Sequence, residues 1–368
     1  MPELDTLSAG VKIVEPASEQ ELAAALAGAN RDGLAVLPRG GGTKMQWGNA
    51  PARADVILST RRLNRILEHA WADLTVTVEA GCTIHALQEE LAKFGQRLAI
   101  DPLWPDEATV GGVLSTNDSG GLRLRYGGLR DLVIGVTIAL ADGTLAMSGG
   151  KVVKNVAGYD LPKLVTGALG TLGVITKAVF RLHPLPKEVY HVTLPIESVE
   201  DGERLVLNIL DSDLVPAAVQ LRAGGDHAPE VDVAFEGTEE GIAAQMKKLW
   251  QMGKPVEGVP SVWVRMDADA KLSILPSQIA ETLRHVSGEA VIHATGLGWL
   301  KQREGLDALR SEIEKNGGSL TILRQTIMMN SKLDAWGNAG DALPLMREVK
   351  RQFDPKNILN PGRFVGGI

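Results

Sequence analysis

Ala108-Thr-Val-Gly-Gly-Val-Leu-Ser-Thr-Asn117, Lys154-Asn-Val-Ala-Gly-Tyr-Asp160 and Gly167-Ala-Leu-Gly-Thr-Leu-Gly-Val-Ile-Thr176 punctuate the segment from Asp101 to Pro186. The first two read as glycine-dense turns. Without a Cβ, a backbone can come within hydrogen-bonding distance of a flat, phosphate-bearing ligand, and φ above zero carries little penalty. Upstream, Pro38-Arg-Gly-Gly-Gly-Thr-Lys44 follows a strand-like run and forms a further glycine loop. The combination points to a dinucleotide held by loops. It is not the nicotinamide fingerprint, because no G-x-G-x-x-G opens a helix with an acidic residue at the next strand. No Walker lysine follows the glycines either.

At 368 residues, with 44% apolar and 23% charged side chains, the chain can bury a sizeable core and is expected to form two domains. A formal charge of −7 with no Lys/Arg cluster argues against nucleic acid and against anionic lipid surfaces. Cys82 is the one cysteine, so the chain has no internal disulfide and no thiolate set for an iron–sulfur cluster or structural zinc. No apolar run approaches membrane-span length and the N-terminus lacks a long apolar stretch, which leads to the expectation of a cytoplasmic protein.

Outward from the glycine segments, Lys12–Glu15 reads as a strand, and Ser18 with Glu21 has capping-box spacing ahead of a helix whose stripe is Leu22, Ala25 and Leu26, closed by Asn30 and Gly33. Leu34–Leu37 is expected to be a buried strand that Pro38 ends. Val56–Ser59 and the alternating Leu74–Glu79 are further strands; Ile84, Leu87, Leu91 and Phe94 recur at helical spacing up to Gly95. Val133–Ala141, leading into an Asp142-Gly143 turn, and Val174–Leu182 complete this part. After the proline-stiffened His183–Lys187, strands at Val231–Phe235 and Ser261–Met266 mix with helices near Glu239–Met252 and Gly305–Lys315, as in a smaller α+β domain.

In that order, Arg39-Gly-Gly-Gly-Thr-Lys44, Ala108-Thr-Val-Gly-Gly…Ser-Thr-Asn117, Gly158-Tyr-Asp-Leu161, Gly170-Thr-Leu-Gly-Val-Ile-Thr176 and Phe353-Asp-Pro…Leu-Asn-Pro-Gly-Arg363 resemble the FAD-binding proteins of the vanillyl-alcohol oxidase and p-cresol methylhydroxylase (PCMH) superfamily. Within it, Lys151–Asp160 and the short second domain most resemble the FAD-binding E subunit of bacterial glycolate oxidase. The resemblance implies an α+β fold: a two-lobed PCMH-type FAD-binding domain over residues 1–187 (lobes about 1–60 and 61–187), a small α+β cap over 188–345, and a segment, 346–368, returning to the flavin.

It also implies the cofactor and its ligands. Backbone N–H groups of Gly40, Gly41, Gly42 and Thr43, following Pro38, would form a nest for the FAD pyrophosphate, with Arg39 and Lys44 adding positive charge. Pro105, Thr109, Val110, Gly111, Gly112, Ser115, Asn117, Gly120 and Gly121 match the segment beneath the pyrophosphate and flavin ring, and Tyr126 and Gly127 continue that wall. Gly173, Val174 and Ile175 match the strand meeting the adenine or ribityl portion; Asn360 and Arg363 match the element closing over the flavin. Many relatives attach FAD through a histidine in the first loop or a cysteine in the second unit. This loop holds no histidine and Cys82 lies outside the glycine segment, so noncovalent FAD is expected.

No catalytic residue can be named. Relatives that oxidise 2-hydroxy acids unaided carry a metal-binding Gly-His-x-Gly-Asp-Gly-Asn-x-His segment, whereas Ile292-His-Ala-Thr-Gly-Leu-Gly-Trp-Leu-Lys301 keeps His293 but lacks the acid, the asparagine and the second histidine. No metal site is expected. The resemblance therefore implies an FAD-carrying oxidoreductase subunit acting on CH–OH groups. It would work with an FAD-containing catalytic glycolate oxidase subunit and an iron–sulfur subunit, without nucleic acid or direct membrane insertion, and reach the inner membrane only through those partners. The alternatives are a stand-alone FAD oxidoreductase for another alcohol or 2-hydroxy acid, and an assembly subunit with structural FAD.

Overall fold

The computed structural model describes residues 10–150, 159–225, 227–260, 268–324 and 333–368; most of the expected Lys154–Asp160 turn and all of the expected Ser261–Met266 strand lie outside the described residues. The chain divides into two compact units. One runs to Asp118, resumes at Gly128–Pro184 and closes with Ala339–Ile368; the other takes Ser119–Gly127 and Leu185–Asn338.

In the first unit, Ser18 caps the helix Glu19–Asp32 by accepting from Glu21 N–H, and the Glu21 carboxylate reaches back to Ala17 N–H at 2.8 Å. Gly33, at φ 67°, ends the helix where a side chain would be strained. Leu22 and Leu26 are fully buried, a stabilisation of about 1.5–3 kcal/mol each. They pack with Val36, Val56 and Leu58 from one expected lobe and Ala139 and Val174 from the other, together with Ile358 and Leu359. The two expected lobes therefore share a core and form a single unit, which the C-terminal segment completes.

Among the described residues, the two larger sheets frame this unit. The smaller is parallel, in the order Lys12–Val14, Val56–Ser59, Val36–Arg39. Pro38 does not end the last strand as its missing donor suggested: it pairs in register with Leu58, because Val36–Arg39 is the edge strand, where a lost ladder bond is tolerated. The larger sheet is antiparallel, in the order Ile66–Ala70, Thr75–Glu79, Val174–Arg181, Val133–Ala139, Leu145–Gly149. The edge strand Ile66–Ala70 escaped notice because it has no buried positions to create an alternating pattern. Phe94, expected in the helical stripe, is 50% exposed, since the helix stops at Ala92 and the ring instead meets His69 edge-on at 4.8 Å.

The segment Ala108–Asn117, read as a turn, is a short helix, Val110–Thr116, with Thr109 as its N-cap and Asn117 closing it at φ 47°. Gly111 is needed for packing rather than for turning: a Cβ there would lie 2.9 Å from Ala80 Cβ.

Among the described residues, the second unit is built on an eight-stranded sheet in the order Val256–Glu257, Glu188–Pro195, His227–Gly237, Ala218–Gly224, Glu289–His293, Leu297–Lys301, Ala270–Ser273, Ser319–Ile322. Helices Val199–Asp211, Ile279–Arg284 and Leu306–Lys315 bury Val206, Ile209, Ile279, Leu283 and Ile313 in one core with Val219, Leu221, Val233 and Ile292 of the sheet. Ser119–Gly127, assigned from sequence to the FAD domain, packs here instead. Leu124 joins this core, Leu122 covers Ala217, Ala218 and Ala234, Arg125 Nη1 donates to Glu236 O at 3.0 Å, and the Tyr126 hydroxyl donates to the Glu236 carboxylate. Leu122 and Leu124, two residues apart, are each partly buried against this unit's apolar side chains, and that apolar contact favours the segment's place here.

Candidate cofactor site

The strand Val36–Arg39 delivers the chain into the loop Gly40–Lys44, which lies so close to Glu107–Thr109 that side chains are excluded. A Cβ on Gly40 would stand 2.0 Å from Thr109 Oγ1, and one on Gly41 would stand 1.8 Å from Glu107 O. Gly42 needs its freedom for another reason, a φ of 84°, and a Cβ there would meet only Arg39 Cδ, at 3.9 Å. Among the described residues, no protein acceptor takes the backbone N–H of Gly40, Gly41, Gly42 or Thr43. Consecutive main-chain donors left open in this way are what an anion such as a pyrophosphate requires.

This loop lines an open cleft that lies entirely within the first unit. Of the residues expected at the site, Pro38, Arg39, Gly40, Gly41, Gly42, Thr43, Lys44, Thr109, Gly111, Gly112, Ser115, Gly173, Val174, Ile175, Asn360 and Arg363 line it. Met45, Thr60, Thr116, Leu169 and Gly170 line it too. Leu169 and Gly170 were within reach of the sequence, since the second glycine of Gly167–Thr176 sits at φ 70°; Thr60 and Met45 carried no signal. The other expected residues do not line the cleft. Pro105 O accepts from His85 N–H at 3.0 Å, Val110 is turned into the core at 1% exposure, and Asn117 caps its helix. Gly120, Gly121, Tyr126 and Gly127 belong to the second unit.

The two cations of the loop differ in their situation. Lys44 is buried, its ammonium paired with Asp118 at 3.0 Å, donating to Leu103 O at 3.2 Å and lying over the rings of Trp47 and Trp104 at 5.8 and 5.5 Å. Its charge is balanced by protein. Arg39 has no ion-pair partner among the described residues, so its guanidinium is the cation left for a phosphate. Arg363 is 3% exposed and donates to Met45 O at 2.7 Å and Trp47 O at 2.6 Å, which ties the C-terminal segment to the far end of the same loop. Burial pulls its guanidinium down to about 10. Asn360 Nδ2 donates to Leu169 O on the opposite wall.

Cys82 is 3% exposed within the first unit's core, and burial pushes its thiol up to about 11. A thiol so protonated and enclosed is a poor nucleophile. We expect acid precipitation of the native holoprotein to leave all its flavin in the supernatant; flavin pelleting with the chain would show a covalent bond. In the second unit, His293 is buried, Nδ1 and Nε2 have no hydrogen-bond partner among the described residues, and burial lowers its pKa to about 4, so the ring is neutral at physiological pH. Among the described residues, no group of three or more His, Cys, Asp or Glu side chains is arranged to hold a metal, and no helix is long and apolar enough to cross a membrane.

The cleft fits FAD. It offers open main-chain donors for a dianionic pyrophosphate, an arginine beside them, and walls of glycine and small side chains where a flat ring can lie against backbone. Residues 12–148 match the family model for an FAD binding domain, and residues 332–364 match that for the C-terminal domain of FAD linked oxidases. D-lactate dehydrogenase of Archaeoglobus fulgidus is 28% identical over 96% of this chain and 91% of its own length. Glycolate oxidase subunit GlcD of Bacillus subtilis is 25% identical over 96% of this chain and 88% of its own. Among solved structures, p-cresol methylhydroxylase with substrate bound superposes with a TM-score of 0.75 at 18% identity, covering 95% of this chain and 88% of that one, which shows the shared fold.

Proposed function

We propose that the chain, whose residues 12–148 match an FAD binding domain and whose residues 332–364 match the C-terminal domain of FAD linked oxidases, is the FAD-carrying subunit of a glycolate oxidase complex that converts a small 2-hydroxy acid to the 2-oxo acid. The observation that carries the substrate class is the pair of relatives, named for D-lactate and for glycolate, that align along 96% of the chain. When bound, FAD supplies a two-electron acceptor. The chain's own contribution is binding: the Gly40–Thr43 donors hold the pyrophosphate, Arg39 adds charge to it, and Arg363 holds the loop closed through Met45 O and Trp47 O.

His293 supports the role of a subunit over that of a self-sufficient enzyme. It stands alone in Ile292–Lys301, without a second histidine or an acid to help it hold a metal on the substrate carboxylate. Electrons from glycolate would then pass between this FAD and partner subunits, one carrying a flavin and one an iron–sulfur cluster, in the cytoplasm or at the inner membrane through those partners.

The test is anaerobic mixing of the yellow purified chain with glycolate and with D-lactate, before and after its partner subunits are added. Bleaching by glycolate only in the assembled complex supports the proposal. Bleaching of the lone chain shows an autonomous enzyme, and a flavin that no donor reduces in the complex shows a structural cofactor.

A further inference from the structure

Lys350 lies in the last turn of the helix Leu343–Phe353, 6% exposed, and its ammonium has three donors. One goes to Asp354 Oδ2 at 2.7 Å, one to Thr171 O at 2.9 Å and one to Leu359 O at 2.9 Å. Asp354, 1% exposed, accepts from Ile358 N–H at 3.0 Å and from Leu359 N–H at 2.7 Å. Neither side chain lines the cofactor cleft, but the carbonyls that Lys350 holds adjoin residues that do. Thr171 follows Gly170 and precedes Gly173, and Leu359 precedes Asn360. Leu359 also bridges to Val36, and Asn360 N–H donates to Val36 O at 2.9 Å, at the start of the strand that leads into Gly40–Thr43.

We infer that Lys350, oriented by Asp354, is a positioning residue that sets the spacing of the Leu169–Gly173 and Asn360–Arg363 walls for FAD. The inference rests on the FAD reading of the cleft. Stability alone gives no reason for the pair, because replacing a buried ion pair with well-packed apolar side chains is often neutral or stabilising. An apolar pair would nevertheless lack what the ammonium provides, donors directed at two carbonyls from different segments. Removing those donors breaks the Thr171–Leu359 link and leaves the walls joined through the Asn360 Nδ2 bond to Leu169 O, so their spacing relaxes while the core remains filled.

The experiment uses the full chain stripped of flavin, with FAD binding followed by flavin fluorescence and the stability of the apoprotein by thermal unfolding. The charge-free double variant Lys350→Met/Asp354→Leu is expected to unfold near the wild-type temperature and to bind FAD about tenfold more weakly, the equivalent of about 1.4 kcal/mol. Double-variant affinity within about twofold of wild type would overturn the inference. Where the double variant does not fold, Lys350→Arg decides on the same readout. Its planar fork keeps the charge but cannot aim along the same three directions, so affinity should again fall, and an unchanged dissociation constant overturns the inference. A wild-type apoprotein that binds no FAD would overturn the FAD reading as well; wild-type binding that the variants leave unchanged would sink only the role given to Lys350.

Discussion

Gly41→Ala should yield a chain that folds but purifies without flavin. The new Cβ would be placed 1.8 Å from Glu107 O and 2.8 Å from Glu107 C, both backbone atoms that cannot swing aside as a side chain can. The loop Gly40–Lys44 must then lift from Glu107–Thr109, carrying the open N–H groups of Gly40–Thr43 out of register with the rest of the cleft. Overpacking of this kind costs about 1–3 kcal/mol. Charged wholly to binding, that weakens FAD by roughly 5- to 150-fold. Flavin absorbance per mole of chain and a fluorescence titration of the apoprotein measure it. Gly237→Ala, where a Cβ meets nothing within 4 Å, is the control and should keep its flavin. A Gly41→Ala protein as yellow and as tight as wild type would remove the loop from the site.

The second large effect is expected from Asp118→Ala. Lys44 and Asp118 have side chains 4% and 1% exposed, and the Asp118 carboxylate also accepts from Leu103 N–H at 3.0 Å. Deleting it strands the Lys44 ammonium with one carbonyl, a neighbouring hydroxyl and two indole rings. Removing one partner of a buried pair typically costs about 3–5 kcal/mol, because the remaining charge is desolvated without compensation. The denaturant midpoint of the first unit should fall accordingly. The double variant Lys44→Met/Asp118→Leu should recover most of that loss, since no charge remains buried. Equal losses in single and double variants would show that the ion pair itself, rather than the uncompensated lysine, accounts for the effect.

Motif order accounts for how much of the site could be read without coordinates. Gly40–Thr43, Gly111–Gly112 and Gly173 were legible because close backbone approach leaves only glycine or a small residue permissible, and that restriction is written locally. The helix Glu19–Asp32 was legible for the same reason: Ser18, Glu21 and Gly33 each satisfy their own nearest backbone groups. Ala108–Asn117 was misread as a turn because its two glycines have low helix propensity, which the Thr109 cap and the fit of Gly111 against Ala80 override.

By itself, then, the sequence determined many of the elements, the FAD-binding class and the glycine loops, which follow largely from interactions among residues near one another in the chain. Only the tertiary structure decided that Lys44 is neutralised by Asp118 while Arg39 has no ion-pair partner among the described residues, and that Arg363 holds loop carbonyls. It likewise decided that Ser119–Gly127 joins the second unit and that Lys350 links Thr171 to Leu359. The physical reason is common to these cases: the role of a long charged or apolar side chain is set by whichever distant group shares its burial, and burial belongs to the packed chain as a whole.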